Sequence, residues 1–310
     1  MTWTHWNASR ADWEHLTALV QMPKVAATEK AFALWFSGAD GMATWGSPGY
    51  GDSSEAQDQL RNVMQLRATR HGAFAAILAN GSVVTWGDPE RGGDCSAVQG
   101  QLRNVQKIQS TESAFAAIIV NGSVVAWGQP ESCDCFTIQD QLRNVRQIQA
   151  TDHAFAAILA NGSVVTWGDP DDGGDCSAVQ GQLKSVHQIQ AADSAFAAIL
   201  ADGSVVASGD PDWGGDCLQV RDLLRNVKLI QCTAAGAFAV VLADGSVITW
   251  GNPNKGGDCS AVQDLLRNVQ QIQASFGAFA AILADGSVIA WGHPNYGGDH
   301  SAVQDRLLYL

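Results

Sequence analysis

The sequence has no run approaching about 18 consecutive apolar residues, so a membrane-spanning helix is not expected. Its first residues, Met1-Thr-Trp-Thr-His-Trp-Asn, have neither a basic start nor an apolar stretch, and a secretory signal is not expected either. Basic residues are scarce: 18 Lys and Arg stand against 31 Asp and Glu, a net charge of -13. An acidic surface repels phosphate backbones, so direct nucleic-acid binding is not expected; the same charge also keeps a folded domain soluble. There is no Gly-rich loop of the kind that cradles phosphate, and no Cys pairs stand at zinc-finger spacing. The seven histidines (5, 15, 71, 153, 187, 293 and 300) are scattered and suggest no Ser/His/Asp or Cys/His set. Cys133-Asp-Cys135 is a lone C-x-C, a weak soft-metal pattern. No catalytic residues, metal or cofactor are expected.

A disulfide framework is missing as well. The seven cysteines are an odd number, and five of them, Cys95, Cys135, Cys176, Cys217 and Cys259, recur at one phase of a repeat. A disulfide needs Cα atoms within roughly 7 Å, and equivalent sites in separate repeat units usually lie further apart. Free thiols are expected, in the cytoplasm or another reducing intracellular compartment.

What the sequence does have is repetition. Ala-Phe recurs with Phe at 32, 74, 115, 155, 196, 238 and 279, at intervals of 42, 41, 40, 41, 42 and 41 residues. Trp-Gly follows at Trp45, Trp86, Trp127, Trp167, Trp250 and Trp291, and only the fifth copy departs, with Ser208 before Gly209. Within a copy, residues 73–79 are apolar on both alternating faces, as in a strand covered on both sides. Their alanines suggest a crowded inner strand near a central axis. Asn80-Gly81, with Asn-Gly or Asp-Gly in every other copy, signals a type I′ hairpin turn. Residues 82–86 form the return strand, broken by Gly87-Asp88-Pro89. Ser96 and Gln99 then fit a capping box, repeated at Ser177/Gln180, Ser260/Gln263 and Ser301/Gln304. A helix of two turns or fewer, or in its place a short outer strand, is expected there, followed by a strand through Ile108.

Seven hairpin units that cannot bury their own faces suit radial stacking better than a linear solenoid, whose ends need polar caps. The last copy stops at Leu307-Leu-Tyr-Leu310 without its final strand, and Lys24–Glu29 aligns with Lys107–Glu112. The expected fold is therefore all-β: a seven-bladed β-propeller of about 41-residue repeats, with a short helical turn in each blade. The ring would be closed by an N-terminal strand lent to the last blade. Residues 1–18 would be a leader and 19–310 a single domain.

The segment Ala-Asp-Gly-Ser-Val-Ile-Ala-Trp-Gly at 284–292 resembles the regulator of chromosome condensation repeat, and the resemblance covers roughly residues 19–310. It implies the same seven-bladed propeller. The chain departs where the family often carries Gly-Gln-Leu-Gly and has Gly-Gly-Asp-Cys-Ser, and where the family has His-Ser or His-Thr and this chain has Ala-Phe. As functions the resemblance implies guanine-nucleotide exchange on a small GTPase, or substrate recruitment in a ubiquitin-ligase assembly. It also implies light sensing by clustered tryptophans, but six of the eleven tryptophans sit in the Trp-Gly strand, where packing between blades accounts for them.

Two positions of the repeat invite a functional reading. Asp52, Asp94, Asp134, Asp175, Asp216, Asp258 and Asp299 share one phase in all seven copies. An acidic ring could attract a cation or a basic partner, but identity in every copy is what a folding requirement produces, each Asp capping its own turn. Just before the Gly-Gly-Asp, by contrast, one site varies: Tyr50, Arg91, Ser132, Asp172, Trp213, Lys255 and Tyr296. Tyr, Trp and Arg are enriched in binding hot spots. The expected function is a non-catalytic protein-interaction scaffold, alone or as a subunit of a larger complex. Tyr50, Arg91, Asp172, Trp213, Lys255 and Tyr296 are its expected contact residues.

Overall fold

The computed structural model describes residues 23–37, 41–299 and 301; the expected leader lies outside them. The described residues form seven antiparallel sheets of three strands each, in chain order. We call them blades one to seven. Blade three shows the pattern: a first strand Val105–Ser110, a middle strand Ala114–Ile119 and a return strand Val124–Gly128. Blade one is Lys24–Ala27, Ala31–Trp35 and Met42–Gly46, and blade seven is Val269–Ala274, Ala278–Leu283 and Val288–Gly292.

The first strand of each blade, not the alanine-rich one, lies innermost. Side chains there bridge to the first strands of the neighbouring blades: Gln109 Nε2 donates to Ile148 O of the next blade at 3.2 Å, and Ser110 Oγ to Ala68 O of the blade before at 2.9 Å. Gln, Lys and Arg on these strands line a central channel. The alanines are small for a different reason. The middle strand is sandwiched between neighbouring blades, and a small side chain is needed wherever a ring from the next blade packs against it. Between blades two and three, Ala73, Ala75, Ile77 and Val83 meet Phe115, Ala117, Val125 and Trp127, with Cys95 and Leu102 of the connector beneath. Outside blade five, where Ser208 replaces the Trp, each Phe also stacks on the Trp of its own blade, for example Phe115 on Trp127 at 5.2 Å between ring centroids. The tryptophans of the Trp-Gly strand in blades two, three, four, six and seven thus pack between blades, while Trp45 of blade one is exposed.

Three local expectations need correction. The hairpin turn is not type I′, because only the glycine is left-handed: Gly81 has φ +77°, and its N–H donates to Leu78 O. The Asn80 side chain instead accepts from the Ser82 N–H at 2.9 Å and the Ser82 hydroxyl at 2.7 Å, which fits a type I turn followed by a left-handed glycine. The capping box does not form. The Ser96 N–H is taken by Asp94 Oδ1 at 2.8 Å, and Gln99 accepts from the Cys95 thiol and donates to Val83 O. With the box gone, the connector runs as successive turns and, in some blades, one tight turn such as Gln263–Leu265. The closing strand stays at home. Lys24–Ala27 pairs with Ala31–Trp35 of its own blade, Lys24 opposite Trp35 and Ala27 opposite Phe32. A hairpin partner a few residues away in sequence forms at less entropic cost than one at the far end of the chain.

Candidate functional site

Each first strand leaves the channel through a short turn headed by a buried Thr or its equivalent. Thr69, Thr111, Thr151 and Thr233 are buried. Their hydroxyls hold the turn by accepting from the middle strand, as in Ala154 N–H to Thr151 Oγ1 at 2.9 Å. The residue after the Thr then joins a belt of backbone bonds around the axis. Glu29 N–H donates to Arg70 O, His71 to Glu112, Glu112 to Asp152, Asp152 to Asp193, Asp193 to Ala234 and Ala235 to Phe276, at 2.7–3.1 Å. The belt sets these residues on the rim of the channel, at one mouth.

The rim is chemically lopsided. On the arc of blades three to five stand Glu112, Asp152 and Asp193, with Arg70 of blade two as their main counter-charge. Arg70 is ion-paired with Glu112, and His71 Nε2 lies 3.4 Å from the same carboxylate. Burial, then the nearby charges of Asp193 and Glu112, push Asp152 up to about 7. Burial, then Glu112, pushes Asp193 up to about 6. Arg70 counteracts both shifts. On the arc of blades six and seven stand rings and an ammonium: Lys255 Nζ lies 4.6 Å from the centroid of Tyr296 and 5.7 Å from that of Phe276, and the two rings are 5.0 Å apart.

The varied residues ahead of Gly-Gly-Asp converge on this rim. The Thr of the exit turn reaches over to their carbonyls: Thr69 Oγ1 donates to Arg91 O, Thr151 to Asp172 O at 3.0 Å and, as Thr's equivalent, Ser275 to Tyr296 O at 2.7 Å. Asp172 adds its charge to the acidic arc, raising both Asp152 and Asp193. Lys255 and Tyr296 make up the aromatic arc with Phe276. Tyr50 carries Lys30 Nζ over its ring at 4.6 Å and packs on the Gly72 turn. Trp213 packs on the Gly236 turn of its neighbour in the same way. Arg91 is committed to the framework, donating to Ser113 Oγ at 3.0 Å and Gln129 Oε1 at 2.7 Å across to blade three. Ser132 is fully buried.

Sequence reasoning missed Glu112, Asp152, Asp193 and Phe276. The signal was present: the position after the Thr also varies from copy to copy, through Glu29, Arg70, Glu112, Asp152, Asp193, Ala234 and Phe276. The recurrent Asp residues, by contrast, are turn caps. Each accepts from the N–H two residues on, from Asp52 to Ser54 through Asp299 to Ser301, at 2.8–3.0 Å. These bonds hold Asp52, Asp94, Asp175 and Asp258 below the usual carboxylate range. The recurrent cysteines are buried free thiols, and Cys95, Cys176 and Cys259 donate to the Gln four residues on. Among the described residues no helix is long and apolar enough to cross a membrane.

Fold and rim together define an all-β, seven-bladed repeat protein of the propeller class. No known family's sequence profile and no curated protein matches the chain. Among solved structures it is similar to the ectodomain of the receptor kinase CR4 from Physcomitrella patens, at 15% identity, with 86% of this chain and 72% of that one covered and a TM-score of 0.47. It is also similar to Prp20p of Saccharomyces cerevisiae, at 16% identity, 84% and 79% coverage and a TM-score of 0.45. Human WBSCR16 is similar at 16% identity, 90% and 78% coverage and a TM-score of 0.40.

Proposed function

We propose that the chain is a protein-binding scaffold without catalytic activity, and that its partner docks across the rim. One observation carries this reading. Two repeat positions that vary from copy to copy bring most of their residues to one rim of an otherwise repeated framework. Rigid scaffolds place recognition on such loops. The lopsided rim also specifies a chemistry: a protein segment with basic side chains for Glu112, Asp152, Asp172 and Asp193, and an apolar stretch for Phe276 and Tyr296.

The test is affinity purification from the native source with the intact chain and with two variants. One carries Tyr50→Ala, Trp213→Ala and Tyr296→Ala; the other carries Glu112→Gln, Asp152→Asn and Asp193→Asn. The partner retained by the intact chain is expected to be lost from both, with hot-spot losses of about 2 kcal/mol or more, roughly 30-fold in Kd. Melting curves should show both variants folded. A partner held equally by all three proteins would place recognition elsewhere.

A further inference from the structure

Charge is divided unevenly between the outside of the chain and its axis. The sequence carries 31 Asp and Glu against 18 Lys and Arg, yet the seven first strands around the channel hold no acid at all. They hold Lys24, Arg67, Lys107, Arg146 and Lys228 instead. Among the described residues none of these cations is ion-paired. Like charges gathered around one channel repel each other, and nothing on the strands offsets them.

Three of these cations meet in one place. A cavity of about 770 Å³ runs along the first strands of blades one to four, and Lys24, Arg67 and Lys107 line it. The ammonium groups of Lys24 and Lys107 bond to no described residue. Arg67 commits only its Nε, which donates to Ile108 O at 3.3 Å, so both terminal nitrogens of its guanidinium are left. Gln65 and Gln109 each spend one donor bond on a carbonyl of the next blade. The same wall carries Val25, 56% exposed, and Met64, 48% exposed. Trp35 completes it. Trp35 pairs with Lys24 and with the first residue of its return strand, Met42, a place that Ile or Val takes in the other six blades, as Ile77 does opposite Val83. Its indole Nε1 is buried and has no partner among the described residues. Trp86 and Trp167 share that lack, but neither lines the cavity. The wall thus holds a neutral donor in want of an acceptor beside three uncompensated cations.

We propose that this cavity binds a small phosphorylated molecule, with Lys24, Arg67 and Lys107 on its phosphate groups and Val25 and Met64 against its organic part. A phosphate group carries a charge of about -1.5 to -2 at neutral pH and three acceptor oxygens. Two such groups balance three cations, where a single carboxylate would leave two unmatched. The guanidinium of Arg67 offers a fork of donors that suits phosphate oxygens, and the lysines add point charges. The Gln65 and Gln109 amides and the Trp35 indole supply neutral donors for the remaining oxygens. The volume falls within the roughly 300–1,000 Å³ of small-molecule sites. A nucleic-acid strand meets the acidic exterior and is repelled, whereas a small anion passes into the channel. The mouth ringed by Glu112, Asp152 and Asp193 repels an anion. Arg146 and Lys228, each the second residue of its strand, lie toward the other mouth, which is the expected way in. A protein on the rim and a ligand in the channel therefore use different residues.

Isothermal titration calorimetry of the full chain with inorganic pyrophosphate, in magnesium-free buffer of low ionic strength, tests the proposal. Saturable binding of one pyrophosphate per chain is expected, and citrate, which offers carboxylates in place of phosphates, should bind more weakly. Two variants remove charge from the wall: Arg67→Gln with Lys107→Gln, and Lys24→Gln with Lys107→Gln. All three side chains are exposed, and melting curves verify that the variants fold. Each should bind pyrophosphate about tenfold or more weakly, the usual worth of hydrogen bonds to charged groups. Arg67→Lys with Lys107→Arg keeps the charge and should lose far less. The rim variant with Glu112→Gln, Asp152→Asn and Asp193→Asn should bind pyrophosphate at least as tightly as the parent. An unmodified chain without saturable binding would overturn the proposal, as would folded charge-removal variants that bind like the parent. Citrate bound as tightly as pyrophosphate would overturn the phosphate assignment, and loss of binding in the rim variant would overturn the placement in the channel.

Discussion

Gly92 and Gly297 occupy the same place in blades two and seven, with nearly the same backbone: φ +100° and ψ 6° against φ +99° and ψ 10°. Replacing either by alanine imposes the same left-handed backbone penalty, about 1–2 kcal/mol. The surroundings differ. A Cβ at Gly92 would lie 2.7 Å from Cδ2 and 2.9 Å from Cε2 of Phe115, and that ring is fully buried with no room to retreat. Overpacking of this kind typically costs a further 1–3 kcal/mol or so. At Gly297 a Cβ would meet nothing within 4 Å. Gly92→Ala should therefore destabilise by about 2–5 kcal/mol and Gly297→Ala by about 1–2 kcal/mol. The assay is urea unfolding followed by tryptophan fluorescence and far-UV circular dichroism. The two probes must agree before midpoints are converted to free energies, because repeat arrays can unfold in stages. Equal destabilisation by the two substitutions would refute the reasoning. It would mean that Phe32 lies on Gly297 as Phe115 lies on Gly92, and that the seven blades close on themselves.

The rim carboxylates give a pH dependence of definite sign. Asp152 at about 7 and Asp193 at about 6 both stand above the ordinary carboxylate value. Between that value and 7 the folded chain holds more protons than the unfolded one, so their contribution to stability is lost as pH rises. Melting temperature should rise as pH falls from 8 to 5, and Asp152→Asn should raise it at pH 8 and flatten the profile; a variant less stable than the parent at pH 8 would contradict the assignment. The turn-capping Asp94, Asp175 and Asp258 are shifted down instead, so their contribution is lost only in more acidic solution. Thiol titration of the denatured, unreduced protein should find all seven cysteines. In the native state Cys232, pushed up to about 12, and Cys133, pushed up to about 11, should react slowly at neutral pH, because burial disfavours the thiolate. Recovery of an oxidised pair from native material would overturn the free-thiol reading.

What the sequence determined by itself was the strand pattern that repeats over short range, though not the type of its turn or the partners of Ser96 and Gln99. The hairpin of Ala-Phe strand and Trp-Gly strand, seven times over, follows from apolar runs broken by Asn-Gly or Asp-Gly. The turn-capping role of Asp94 and its equivalents follows from their identity in every copy. The rest is settled between residues about 40 positions apart, where no local pattern speaks. Whether Val105–Ser110 or Ala114–Ile119 lines the axis depends on how blades rotate against one another, and alanine serves equally well beside a channel or beneath a neighbour's phenylalanine. Lys24–Ala27 has the sequence to complete either the first blade or the last; the pairing was decided by the short loop to Ala31. Glu112, Asp152 and Asp193 read one at a time as ordinary surface acids. They become a cluster because the backbone belt sets three successive turns side by side, and partial burial there makes their mutual repulsion strong enough to shift their titration.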